Sequence, residues 1–287
     1  MRFALAQLNP LVGDLNGNGR LIGKSIKEAI SQKADLLITP ELSLWGYPPK
    51  DLLLNEVQIK HQETILQSLS NTISLDNSNL KVLVGIAEAI ADKKIPKLFN
   101  SVALIERNGW EIVCRKQLLP SYDVFDETRY FRPSKSPGVF NIYKQEKCWR
   151  IGITICEDLW VEEELQTHRI SGPDPVAQLI PAKLDVLLNL SASPFNPSKN
   201  KTRKDLVSQA SQRLNCPVVY LNQVGANDEL IFDGSSFILD DQRNIVLQLP
   251  SCKESFKIWD ITSQFHLNDA KDVDPMEELF HALVLGV

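Results

Sequence analysis

The stretch "WRIGITICEDLW", Trp149–Trp160, reads as a buried strand followed at once by the acidic first turn of a helix. Ile151, Ile153, Thr154 and Ile155 supply the apolar and β-branched run, and Glu157 and Asp158 the acids. A single thiol, Cys156, stands at the junction. The pattern has an echo upstream. "RFALAQLN", a helical segment and "DLLITPE" follow the same order as "RIGITICE", a helical segment and "DVLLNLS". In each half the second strand begins with Asp followed by three aliphatic residues and ends at a polar residue. The reading is an α/β fold, a four-layer αββα sandwich built from two similar halves. Each sheet then buries one face under helices and the other against its partner sheet.

The remaining segments fit that plan. Asn16–Gln32 carries helical apolar spacing through Leu21, Ile22, Ile26 and Ile30, and Glu56–Ile73 is also expected to be helical. "KVLVGIAEAI" reads as a strand, and "NSVALIERNGWEIVCRKQ" as a hairpin turning at Asn108-Gly109. A second hairpin leads through "VFNIY" into "RIGITI". Helices are expected at Pro175–Lys183 and Asn200–Leu214, with "PVVYLNQV" a strand after them. "DELIFDGSSFILD" and "NIVLQLP" read as two hairpin arms ahead of "SFKIWDI". Residues 1–265 form the expected domain. "HLNDAKDVDP" reads as a linker, so 266–287 is assigned to that linker and the start of a helix.

Composition narrows the class. The chain has 287 residues, 43% of them hydrophobic, so a substantial core is expected. A net charge of -5 gives no basic face for nucleic acid. No apolar run approaches the ~20 residues of a membrane span, and "RFALAQLNP" reads as a strand rather than a signal peptide. Five cysteines without Cys-x-x-Cys spacing favour neither a disulfide framework nor zinc. Four scattered histidines suggest no metal site. A reducing, cytoplasmic setting is expected.

Cys156 has two readings: a buried inert thiol, or a nucleophile whose pKa a helix start would lower. Glu157 and Asp158 would oppose that lowering, so a cation or base must come from elsewhere. Glu41, in "DLLITPELSLWGYPPKDLL", follows the second strand of the first half, as Cys156 follows the first strand of the second half. It reads equally as a helix N-cap or a turn residue. Arg115 and Lys116, in "CRKQLLPSYDVFDETRYFRP", end a hairpin arm, where basic residues are commonly solvated. A carboxylate, an amine and a thiol, each at the C-terminal end of its own strand, can converge at one sheet edge.

"TPELSLWGYPPKDLL", "KQLLPSYDVFDETRYF", "GITICEDLW", "LNLSASPF" and "NQVGANDELIFDGSSF" together resemble the nitrilase, or carbon–nitrogen hydrolase, superfamily along essentially the whole chain. "YPPKDLL", "YDVFDETRYF" and "NDELIFDGSSF" resemble its branch of glutamine amidotransferase (glutaminase) domains in glutamine-dependent NAD+ synthetases. The resemblance implies a Glu–Lys–Cys triad: Glu41 as general base, Lys116 as oxyanion partner and Cys156 as nucleophile. It implies substrate contacts from Tyr122, Glu127, Ser193 and Arg203. The region after "SPF" reads "NPSKNKTRK" instead of the commoner Gly-Lys pattern, which leaves Lys199 and Arg203 as alternatives for the substrate carboxylate, with Arg203 favoured.

The implied activity is glutamine amidohydrolysis through a Cys thioester, releasing ammonia to an NAD+ synthetase domain or subunit. A stand-alone amidase or carbamoylase acting on another small amide is the alternative, and a catalytically idle scaffold the third. No stretch resembling Ser-Gly-Gly-x-Asp-Ser occurs, so ATP and Mg are expected only on an absent synthetase domain, with no cofactor here. The chain is then a fragment of a bifunctional enzyme or a free-standing glutaminase subunit. Homo-oligomers are the family's habit. In the tail "DPMEELFHALVLGV", Met276, Leu279, Phe280, Leu283 and Val284 fall at helical spacing and predict an apolar stripe that its own domain leaves uncovered. The resemblance implies that "ALVLG" begins the segment running into the synthetase domain.

Overall fold

The computed structural model describes residues 1–91, 95–162, 170–262, 267–268 and 274–287. The first half runs β1 (Arg2–Gln7), α1 (Leu15–Ser31), β2 (Leu36–Ile38), α2 (Glu56–Leu75), β3 (Lys81–Ala89), β4 (Leu98–Glu106) and β5 (Gly109–Arg115). The second runs β6 (Gly138–Lys144), β7 (Lys147–Ile155), α3 (Pro175–Leu179), β8 (Val186–Ser191), α4 (Lys199–Leu214) and β9 (Val218–Asn222). There follow β10 (Val224–Asn227), β11 (Leu230–Asp233), β12 (Phe237–Leu239), β13 (Ile245–Gln248), β14 (Ser255–Asp260), β15 (Leu267–Asn268) and α5 (Pro275–Leu285).

The two sheets have orders β14-β1-β2-β3-β4-β5 and β15-β13-β12-β9-β8-β7-β6. Read outward from β14 and β6, they match through six strands, and β15 is a seventh on the second sheet. β1 pairs parallel with β2 through Phe3–Leu36, as β7 does with β8 through Ile151–Val186. The halves are similar in topology as the repeated pattern implies. Parallel strands are buried on both faces, which is why "DVLLNL" and "DLLI" carry apolar residues without alternation.

Three cores separate the four layers. Ala4, Ala6 and Leu37 face Ile22, Ile26, Leu66 and Leu69 of α1 and α2. From the opposite faces, Phe3, Leu5, Leu36 and Ile38 pack with Ile151, Ile153, Val186 and Leu188 between the sheets. Leu187, Val218 and Tyr220 meet Val176, Val207 and Ala210 of α3 and α4 in the third. Alternate residues of one strand thus enter different cores.

Two segments depart from the sequence reading, and a third, "SFKIWDI", is given its place by the structure. "DELIFDGSSFILD" is divided between two sheets: among the described residues β11 pairs only with β10, while β12 joins the second sheet beside β9. The break falls at Gly234 and Ser235, whose φ values are +67° and +50°. A Cβ at Gly234 would run into the Gln7 side chain, so glycine admits the close crossing. "SFKIWDI" leaves the second half altogether, and β14 completes the first sheet antiparallel to β1. The helix expected after Cys156 is one 3-10 turn, Cys156–Leu159.

At the tail, α5 packs on β11 while Met276, Phe280, Leu283 and Val284 stay exposed. Most of the expected linker at 266–275 lies outside the described residues. Among the described residues no helix is long and apolar enough to cross a membrane.

Candidate active site

Glu41 follows β2 in the turn after "LIT" and is fully buried. Its Oε1 accepts the Asn100 Nδ2–H at 2.7 Å, and its Oε2 the backbone N–H of Ala192, just past β8, at 3.0 Å. The turn lies against β3 so closely that a Cβ at Gly85 would collide with the Leu42 nitrogen and the Pro40 carbonyl. Glycine at that strand position is therefore a condition for the place Glu41 occupies.

Lys116, immediately after β5, reaches the same carboxylate. Its Nζ donates to Glu41 Oε1 at 2.6 Å and to Glu127 Oε1 at 2.7 Å. Burial by itself would lower the lysine pKa. The facing charges of Glu127, Glu41 and Cys156 outweigh it and hold the ammonium well above its usual range. Glu127 also accepts the Tyr47 hydroxyl at 2.7 Å, and its Oε2 is buried with no hydrogen-bond partner. Burial pushes its carboxyl up to about 7 against the pull of Lys116, with Glu41 adding to the rise.

Cys156 closes the group. It ends β7 at φ +45°, a left-handed conformation unusual for a residue with a Cβ. Asn189 holds the bend, its Nδ2 lying 3.0 Å from Thr154 Oγ1 and 3.5 Å from the Cys156 carbonyl. The thiol is pushed well above its usual pKa by burial first and then by Glu41, with Lys116 opposing. This corrects the expectation that a helix start would favour thiolate. A single 3-10 turn gives little dipole.

Glu157 turns back beside the thiol, where its Oε1 accepts the Tyr122 hydroxyl at 3.1 Å. Burial raises its pKa, with Lys116, Tyr122 and Lys199 opposing. Tyr122 itself is 43% exposed and stands at the mouth of this group. Ser193 is buried, its N–H donating to Asn222 Oδ1 at 2.8 Å.

Arg203, favoured above for the substrate carboxylate, is engaged by neighbouring groups of the protein itself. Its Nη1 donates to both Asp233 oxygens at 2.9 Å, its Nη2 to the Ser193 and Pro194 carbonyls and its Nε to Ser193 Oγ at 3.3 Å. All three guanidinium nitrogens are engaged. Lys199, one helical turn earlier, makes no ion pair among the described residues, and its Nζ lies 5.3 Å from the centre of the Trp160 ring. Burial and then Arg203 lower its pKa, while Cys156, Glu157 and Asp233 hold it up. Among the described residues it is the cation here still able to meet an anion.

Tyr47, Asn100 and the Ala192 N–H were not legible as site groups in the sequence. Asn100 left one faint signal, as a polar residue inside the strand "LFNSVALIE" that proves fully inward-facing.

The model of the family described as "Carbon-nitrogen hydrolase" matches residues 2–265. The chain belongs to the carbon–nitrogen hydrolase family. Against the glutamine-dependent NAD(+) synthetase of Synechocystis sp. this carbon–nitrogen hydrolase is 41% identical over 296 residues, covering 99% of this chain and 51% of that one. Its counterpart from Acinetobacter baylyi is 33% identical, with 99% and 49% covered. Among solved structures, the glutamine-dependent NAD+ synthetase of Acinetobacter baumannii superposes with a TM-score of 0.85 at 31% identity, covering 99% of this chain and 50% of that chain. A nitrilase-superfamily amidase from Nesterenkonia AN1 gives a TM-score of 0.72 at 19% identity, with 94% of each chain covered, a likeness of fold. The chain thus spans about half the length of the synthetases it matches.

Proposed function

We propose that this chain is a glutaminase, supplying ammonia for glutamine-dependent NAD+ synthesis through a Cys156 thioester. The observation that carries the reading is the buried Lys116 ammonium, bridging Glu41 and Glu127 beside a thiol held in a left-handed bend. In the proposed reaction Glu41 takes the Cys156 proton as sulfur attacks the side-chain carbonyl carbon of glutamine. Lys116 meets the charge that grows on the carbonyl oxygen. The carbon–nitrogen bond breaks, Glu41 returns the proton to the departing ammonia, and a γ-glutamyl thioester remains. Water, deprotonated by Glu41, attacks the thioester carbon and releases glutamate, and the proton goes back to sulfur. No metal or cofactor enters these steps.

A cysteine suits this work because amides are weak electrophiles and thiolates strong nucleophiles. Lys199 is proposed to meet the substrate carboxylate, with the Tyr122–Glu157 pair on the side of its ammonium. Glu127 is proposed to hold Lys116 in place, and Arg203 to brace the Ser193–Pro194 turn. The NAD+ synthetase portion that accepts ammonia is proposed from the relatives' names and from the half of their length this chain spans.

The test is ammonia release from L-glutamine by the purified chain, beside asparagine and simple aliphatic amides. A glutamine-like chloroketone should block release and leave one adduct, on Cys156. Turnover of other amides with glutamine untouched would replace this reading by the amidase one.

A further inference from the structure

Asp158, two residues past Cys156, is 1% exposed. Its Oδ1 accepts the backbone N–H of Gln117 at 2.9 Å and of Leu118 at 2.8 Å. Its Oδ2 accepts the N–H of Ile155 at 3.2 Å. Two of these amides directly follow Lys116, and the third directly precedes Cys156. Lys116 hangs from β5 of the first sheet, Cys156 from β7 of the second. One carboxylate therefore joins the chain around the ammonium to the chain around the thiol.

We infer that Asp158 is a positioning residue that sets the register between Lys116 and Cys156. A carboxyl group is suited to the task, since its two oxygens offer lone pairs for three N–H donors. Closing the 3-10 turn requires only the Ile155 bond. The bonds to Gln117 and Leu118 cross 41 and 40 residues of sequence and serve the neighbouring loop. Burial makes the arrangement costly, and hydrogen bonds offset that cost. The carboxyl is pushed up to about 7 by burial, with the Leu118 N–H, Lys116 and the other two amides pulling it down. The consequence concerns Lys116: its effect on the thiol and on a developing oxyanion falls off with distance, so the clamp fixes how strongly that charge acts. This inference rests on the proposed nucleophilic use of Cys156.

Two variants test it. Asp158→Asn keeps the shape but places an NH2 group against at least one of the three N–H donors. Asp158→Glu keeps the charge and displaces it by one methylene. The readouts are the pH profile of Cys156 alkylation by iodoacetamide, followed by peptide mass spectrometry, and kcat and KM for glutamine. Both variants should lose about 100-fold in kcat, the scale of a ~1 Å misplacement at a reacting centre. KM should stay within about threefold, since the displaced ammonium faces the reacting carbonyl and not the substrate's remote end. The alkylation profile should move to higher pH as Lys116 loses its hold on the thiolate. A role confined to fold stability would lower the melting temperature and leave that profile in place. Folded variants with an unmoved profile and unchanged kcat would overturn the inference. So would loss of fold in both variants, which would assign Asp158 to stability alone. The profile is measured without substrate. A shifted profile in a protein that ignores glutamine would thus count against the glutaminase reading and for the clamp.

Discussion

Lys116 Nζ lies 2.6 Å from Glu41 Oε1, and both side chains are wholly withdrawn from solvent. A buried pair of this kind is costly to break, because removing one partner strands the other charge. Lys116→Ala should therefore lower stability by about 3–5 kcal/mol, measured by urea unfolding. If the proposed oxyanion role is right, kcat for glutamine should fall about 100- to 1000-fold with little change in KM. A change in KM alone would make Lys116 a contact to the resting substrate.

Cys156→Ala should abolish ammonia release, and Cys156→Ser should be nearly as inactive. The chloroketone adduct should disappear from both. Cys114 and Cys216 are buried, burial pushes both thiols up, Cys216 to about 12, and unlike Cys156 neither has Glu41 or Lys116 beside it, so neither should react. An adduct on either would remove Cys156 from the mechanism.

Glu127 sets a pH dependence of stability whose sign is fixed by its raised pKa. Its folded value is about 7 against an ordinary 4.5, so folding favours the protonated form. The stability it contributes is present in full below about 4.5 and is lost as pH rises through about 7. Asp158, raised from 3.8 to about 7, acts in the same direction over the same window. Melting temperatures should thus decline from pH 5 to 8 on account of these two groups. Glu127→Gln should flatten part of that decline while keeping an acceptor for Tyr47 and Lys116. An unchanged slope would show that the Glu127 carboxyl titrates in its ordinary range.

Lys199 and Arg203 should separate cleanly under substitution. Arg203→Ala strands Asp233 and should cost about 3–5 kcal/mol of folding stability. Lys199→Ala should leave stability nearly unchanged and raise KM for glutamine roughly 10- to 100-fold, the worth of one hydrogen bond to a charged group, about 1.5–3 kcal/mol. The reverse pattern would return Arg203 to the substrate.

These two residues also show where sequence reading stops. They stand four apart on one face of α4, equally able to point at the site. Which one is consumed depends on Asp233, thirty residues on, and no local pattern announces that pairing. The layers were legible for the opposite reason. Strands buried on both faces write themselves as apolar runs, and the repeat of Asp followed by three aliphatic residues exposes the two halves. The bend at Cys156 was hidden because the residue there is not glycine, the usual mark of a positive φ. Asn100 reaches Glu41 across 59 residues through the strand order of the first sheet, and the Ala192 N–H across 151 through the packing of the two sheets.

The Glu41–Ala192 hydrogen bond carries a consequence for folding. Glu41 and Lys116 belong to the half built on the first sheet, Cys156 and Ala192 to the half built on the second. A half that folded by itself would expose the inner sheet face and hold a thiol without its base, or a base without its thiol. The constellation comes into being only when the sheets dock, so thiol reactivity toward a substrate-like electrophile should arise late in refolding, after the strand signal in circular dichroism is complete. Two separately expressed halves should each be inert and should gain reactivity together, at a rate set by their concentration. The site would then serve as a clock for the final assembly step of the molecule.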